Sequence, residues 1–66
     1  MIYILGAGES GLGSALLSKK LGYKFFISDQ FKINKKYKNE LIANSFDFKE
    51  NGHNKELLLS SNLVVK

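Results

Sequence analysis

Four features of this 66-residue sequence can do chemistry. Gly6-Ala7-Gly8-Glu9-Ser10-Gly11 has the spacing Gly-x-Gly-x-x-Gly, Asp29 stands 18 positions beyond Gly11, Gln30 follows it, and Gly52-His53 lies further along. Between a strand and a helix, such a glycine loop either receives nucleotide phosphates or merely joins the two elements. Its first glycine makes the turn, its second admits phosphate to bare backbone, and its third lets the helix pack on the sheet. The helix start adds free amides and a positive dipole end. Ser10 can donate its hydroxyl to a phosphate oxygen or cap the helix. Glu9 is repelled by a phosphate and attracted by the helix pole. An acid where Asp29 stands accepts hydrogen bonds from a ribose in such units, although aspartate is also an ordinary turn residue. Gln30 suits a base edge or plain surface, and the ordinary reading of His53 is a loop histidine open to solvent.

These residues need elements to position them. Met1 to Leu5 is a short apolar run ended by glycine, which predicts a strand buried on both faces. A helix is expected from about Ser10 to Leu21, with Leu12, Ala15 and Leu16 inward and Gly22 as its stop. Phe25, Phe26 and Ile27 predict a second strand ending at Asp29. Asn34 caps a helix to about Asn44, with Tyr37 and Leu41 on one face. Phe46 to Lys49 reads as a third strand, Asn54 caps a short helix through Leu57 to Leu59, and Leu63 to Val65 form a fourth strand. The alternation predicts an α/β fold with a Rossmann-like parallel sheet in spatial order 3-2-1-4 and right-handed crossovers. The three loops that carry Gly6, Asp29 and His53 then meet at one edge, where open α/β sheets bind ligands. Most of the aromatic residues fall on these strands, so core packing explains them better than base stacking.

Composition narrows the chemistry. The chain has no cysteine and one histidine, which removes disulfides, thiolate metal sites and thiol nucleophiles. The formal charge is +4, but every basic residue is lysine, and without arginine the bidentate contacts that dominate nucleic-acid readout are missing. Lys32, Lys35, Lys36 and Lys38 read as a solvated helix face. No Gly-x-x-x-x-Gly-Lys-Ser/Thr loop and no serine–histidine–acid set occurs, so no catalytic residue and no metal ligand is assigned. No signal-peptide pattern or membrane-length apolar run is present, so a cytoplasmic protein without membrane or nucleic-acid partners is expected. The apolar run Leu63 to Val65 is followed only by Lys66, which reads as the N-terminal piece of a larger enzyme, residues 1–66 forming one nucleotide-binding domain.

Ile4-Leu5-Gly6-Ala7-Gly8-Glu9-Ser10-Gly11-Leu12-Gly13 resembles the opening of the D-glutamate-adding Mur ligases of peptidoglycan synthesis (MurD type). The similarity continues at Lys19 to Tyr23, Phe26 to Asp29, Asn51 to His53 and Leu63 to Lys66. Its most specific part is Gly-Glu-Ser-Gly, Gly8 to Gly11. The resemblance implies a domain that holds the UDP part of UDP-N-acetylmuramoyl-L-alanine. Gly8, Glu9, Ser10 and Gly11 would face the diphosphate, Asp29 and Gln30 the uracil, and Gly52 and His53 would border the nucleotide. The family often carries a hydroxyl residue and then arginine after the aspartate, where this chain has Gln30 and Phe31. ATP, magnesium and D-glutamate would be bound by later domains of a monomeric enzyme, and the segment itself would bind no cofactor. Gly6, Gly8, Gly11 and Asp29 alone fit an NAD- or FAD-binding half of an oxidoreductase equally well, and a non-enzymatic regulatory nucleotide-binding module is a third reading.

Overall fold

A computed structural model describes all 66 residues. The elements are β1 (Ile2–Leu5), α1 (Glu9–Lys20), β2 (Phe25–Ser28), α2 (Lys35–Ala43), β3 (Phe48–Lys49), α3 (Lys55–Ser60) and β4 (Leu63–Val65). The four strands make one parallel sheet in the order β3-β2-β1-β4, as the alternation predicts. The register pairs Ile4 with Ile27 on β2 and with Val65 on β4. One face of the sheet therefore carries Ile2, Ile4, Phe25 and Ile27. It packs with Ala15 of α1, Leu41 of α2, and Ile33 and Phe46 from the flanking loops. The other face carries Tyr3, Phe26 and Ser28, with the Tyr3 and Phe26 rings 5.5 Å apart. Tyr3 and Ile4 are consecutive and both buried, as are Ile27 and Ser28, so the central strands are covered on both sides.

The helix ends explain where each element stops. Past α1, Tyr23 N–H donates to Ser18 O and Gly22 N–H to Lys19 O, with Gly22 at φ +81°. This left-handed stop is the one that glycine permits at least cost. The end of α2 repeats the bonding without glycine. Phe46 N–H donates to Leu41 O and Ser45 N–H to Ile42 O, with Ser45 at φ 57°. That arrangement shortens the third strand, because the Phe46 amide is used by the helix cap and β3 starts only at Phe48. Asn34 and Asn54 cap α2 and α3 as expected, accepting from Lys36 N–H and Leu57 N–H.

Two expectations about α1 need correction. Ser10 is not its cap. Extended Gly8 takes that place with no side-chain bond, and Ser10 lies within the first turn. Leu16 is exposed, and Ser18 is buried instead, continuing the inward face of Leu12 and Ala15. Ser18 tolerates burial because its hydroxyl donates to Ser14 O at 2.8 Å. Tyr23 and Phe31 also depart from the aromatic core, being 58% and 68% exposed.

The loop from β2 to α2 is pinned by Glu50. Its carboxylate accepts from Ile33 N–H at 3.1 Å and pairs with the Lys38 ammonium. The Lys38 hydrogen bond, followed by that from Ile33, holds the Glu50 carboxyl below the ordinary carboxylate range. A lowered folded pKa means that this stabilisation is complete above the unfolded value and is lost as pH falls through the folded one. Unfolding midpoints of the wild type and Glu50→Gln should therefore diverge above that window and converge below it. A gap that stays constant with pH would contradict the pin.

Gly11 and Gly13 make a second test. A Cβ on Gly11 would sit 1.8 Å from Gly6 O and 3.3 Å from Ile27 Cδ1, whereas one on Gly13 would meet nothing within 4 Å. Gly11→Ala is expected to destabilise the fold by about 3 kcal/mol through overpacking. Gly13→Ala, inside a helix, should stabilise it by about 1 kcal/mol. Urea unfolding of both variants checks the pair, and a neutral Gly11→Ala would refute the close approach.

Candidate functional site

The glycine loop, the end of β2 and the loop after β3 meet at the C-terminal edge of the sheet. They line a cleft of about 340 Å³, bounded by Leu5, Gly6, Asp29, Gln30, Phe31, His53 and Lys66. A larger hollow of about 570 Å³ lies at the opposite edge, among Met1, Tyr23, Lys24 and Phe46. We take the smaller cleft as the site, because it lies outside the carboxyl ends of parallel strands and is lined by Gly6, Asp29, Gln30 and His53, although Gly8, Glu9, Ser10, Gly11 and Gly52 are not among its lining residues.

The turn out of β1 begins at Gly6, at φ +104°, with its N–H donating to Ser28 O at 2.7 Å. Ala7 is buried below it, and the chain then emerges at Gly8, Glu9 and Ser10, all exposed. The first helical bond of α1 runs from Leu12 N–H to Gly8 O. The amides of Glu9, Ser10 and Gly11 have no partner within the chain, as expected for a first helical turn. A Cβ on Gly8 would meet no protein atom within 4 Å, so the fold itself does not require glycine there. Of the three loop glycines, Gly6 and Gly11 answer to the backbone and Gly8 does not.

Asp29 ties this loop to its neighbour. One carboxylate oxygen accepts from Ala7 N–H at 2.9 Å and the other from Phe31 N–H at 3.0 Å. Its backbone bridges to Gly52, whose N–H donates to Asp29 O at 3.0 Å. Asp29 thus does the work of a turn aspartate and of a long-range brace, and each oxygen accepts one bond and keeps a second lone pair. Gln30 and the Phe31 ring stand exposed beside it.

His53 is not the solvent-exposed loop residue of the ordinary reading. It is half-buried, and its Nδ1 is hydrogen-bonded to Ser28 Oγ. Ser28 in turn bonds Tyr3 Oη at 2.8 Å, and Tyr3 Oη accepts from Asn54 N–H at 2.8 Å. Sequence reasoning missed Tyr3, Ser28 and Phe31. The one available signal was Ser28 itself, a hydroxyl in an otherwise apolar strand. Lys32, Lys35 and Lys36 are exposed, and Lys38 is engaged by Glu50.

Comparison with known proteins shows the family of the chain. The sequence profile of the MurD N-terminal domain matches residues 1–65. A protein of Bacteroides thetaiotaomicron named UDP-N-acetylmuramoylalanine–D-glutamate ligase is 45% identical over 65 residues, 98% of this chain. Proteins of the same name from Cytophaga hutchinsonii and Christiangramia forsetii are 46% and 42% identical over the same share. The chain spans about 15% of the length of these curated relatives. No solved structure matches it at comparable significance. The profile covers all seven elements, including the loops that line the cleft, and the chain belongs to the MurD N-terminal domain family.

Proposed function

We propose that this chain is the nucleotide-holding segment of an ATP-dependent ligase that joins D-glutamate to UDP-N-acetylmuramoyl-L-alanine in the cytoplasm. The observation that carries the reading is the family match over residues 1–65, which includes the loops after β1, β2 and β3. The start of α1 and the cleft support it physically. The free amides of Glu9, Ser10 and Gly11 and the positive end of α1 suit a diphosphate, and the absent Gly8 side chain leaves room for it to approach. Ser10, exposed in the first turn, can add its hydroxyl. The remaining lone pairs of Asp29 suit the N–H of a uracil or a ribose hydroxyl. Gln30 and Phe31 take the place of the family's hydroxyl residue and arginine, and the exposed Phe31 ring offers a flat apolar wall to a base. Glu9 sits where the helix pole favours it and points its charge to solvent.

We assign ATP and magnesium to the remainder of the enzyme, since this segment contains no Gly-x-x-x-x-Gly-Lys-Ser/Thr phosphate loop. In the ligation, acyl phosphate formation and attack by the D-glutamate amine belong to the remainder of the enzyme. This chain contributes affinity and orientation, fixing one end of the substrate so that its L-alanine carboxylate reaches the reacting groups. A dehydrogenase half is the competing reading, and the loop chemistry alone does not separate the two. A dinucleotide needs a second nucleotide site, and the 340 Å³ cleft lies at the small end of the roughly 300–1,000 Å³ usual for ligand pockets.

Calorimetric titration of the full-length protein with UDP-N-acetylmuramoyl-L-alanine and with NAD tests the proposal. The first should bind, and Asp29→Ala should weaken it by about 1–3 kcal/mol, through lost ligand contact and release of the Ala7 and Phe31 amides. Tighter binding of NAD would reject the ligase reading in favour of the oxidoreductase.

A further inference from the structure

The hydrogen-bond chain beneath the cleft has a direction, and that direction fixes what His53 presents to a ligand. Tyr3 and Ser28 are both fully buried, at 0% exposure. Tyr3 Oη has two partners, the Asn54 N–H and Ser28 Oγ. Asn54 N–H is a donor, so the single acceptor left for the Tyr3 proton is Ser28 Oγ. Ser28 also has two partners, Tyr3 Oη and His53 Nδ1. Since it accepts from Tyr3, Nδ1 is the one acceptor left for its own buried proton, and that proton goes to Nδ1. The opposite direction would leave the Tyr3 proton buried without an acceptor, which costs about 1–3 kcal/mol. Nδ1 is therefore an acceptor, and the neutral ring carries its proton on Nε2. Nε2 makes no hydrogen bond within the chain, and His53 lines the cleft beside Gly6 and Asp29.

We infer that His53 is a pre-oriented hydrogen-bond donor to a diphosphate oxygen of the bound nucleotide, with Ser28 and Tyr3 as positioning residues that set its tautomer and ring angle. The inference rests on the nucleotide reading of the cleft. It also gives the buried Ser28 a task beyond packing. A small apolar residue would fill the same place in the strand and leave Nδ1 free to take the proton, turning the donor at Nε2 into an acceptor that a phosphate repels. The Asn54 amide joins the same chain to the start of α3, so the loop that carries His53 is fixed at both ends, by Gly52 on Asp29 and by Asn54 on Tyr3.

The test is long-range proton–nitrogen NMR of the histidine side chains in the full-length protein, with His53 assigned by its loss in His53→Phe, together with titration by UDP. The Nε2–H tautomer is expected in the wild type, and UDP should shift its Nε2 signal. Ser28→Ala should mix the tautomers and weaken UDP about two- to tenfold, the range of one neutral hydrogen bond. His53→Phe should weaken it about tenfold or more, as expected for a bond to a charged group. If Ser28→Ala fails to fold, the wild-type tautomer and His53→Phe decide. An Nδ1–H tautomer in the wild type, or equal UDP binding by the wild type and His53→Phe, overturns the inference and leaves the nucleotide reading standing. Failure of the wild type to bind UDP at all overturns the nucleotide reading, and the ligand assigned to His53 falls with it.

Discussion

The contact between Gly11 of α1 and the Gly6 carbonyl sets the geometry of the rest. A Cβ at Gly11 would lie 1.8 Å from that oxygen, so the helix reaches this depth only with glycine there. The contact lowers the start of α1 onto the end of β1, buries Ala7, and places Ala15 in the core against the sheet. It also sets the free amides of the first helical turn at the sheet's C-terminal edge, where the other two loops arrive. Gly6 completes the turn at φ +104°, a conformation that most residues enter only with strain. Packing and the placement of the free amides thus share one cause, and a change at Gly11 is felt in both.

Around that contact polar bonds also hold the loops. Asp29 joins Ala7, Phe31 and Gly52, and Glu50 joins Ile33 and Lys38. Such bonds are worth individually little, yet their loss leaves amides unpaired in a half-buried place. A small domain has a limited core to fall back on. The arrangement reconciles the two readings of Asp29. The same carboxylate shapes the loop through its bonds to the Ala7 and Phe31 amides and, in the proposed function, offers its remaining lone pairs to the ligand.

What the sequence made legible was local. The glycine spacing, the Asn34 and Asn54 caps, the Gly22 stop and the apolar runs each act over a few residues, and together they specify four parallel strands in the order found. The misses arise where a distant partner decides. Ser10 looks like a cap, but extended Gly8 at φ −92° begins the helix before it. Phe46 looks like strand, but its amide returns to Leu41 O. Leu16 fits a helical stripe, but the tight approach at Gly11 turns Ser18 inward instead. The chain from Tyr3 to Ser28 and His53 links β1, β2 and the loop before α3, and no local pattern records it. Of the residues expected at the site, Asp29, Gln30 and His53 line the cleft directly, while Gly8 to Gly11 stand at the helix end above it and Gly52 acts through its bond to Asp29.

The central claim is that ligand is received at the C-terminal edge of the sheet and not in the larger hollow at the other end. Backbone amide shifts of the isotopically labelled full-length protein, followed during addition of UDP, test it most directly. The account predicts that the amides of Gly8 to Gly11, Asp29 to Phe31, and Gly52 and His53 move together and saturate with one affinity, while those of Tyr23, Lys24 and Asp47 stay in place. Shifts confined to Tyr23, Lys24 and Asp47, with the glycine loop unmoved, would contradict it.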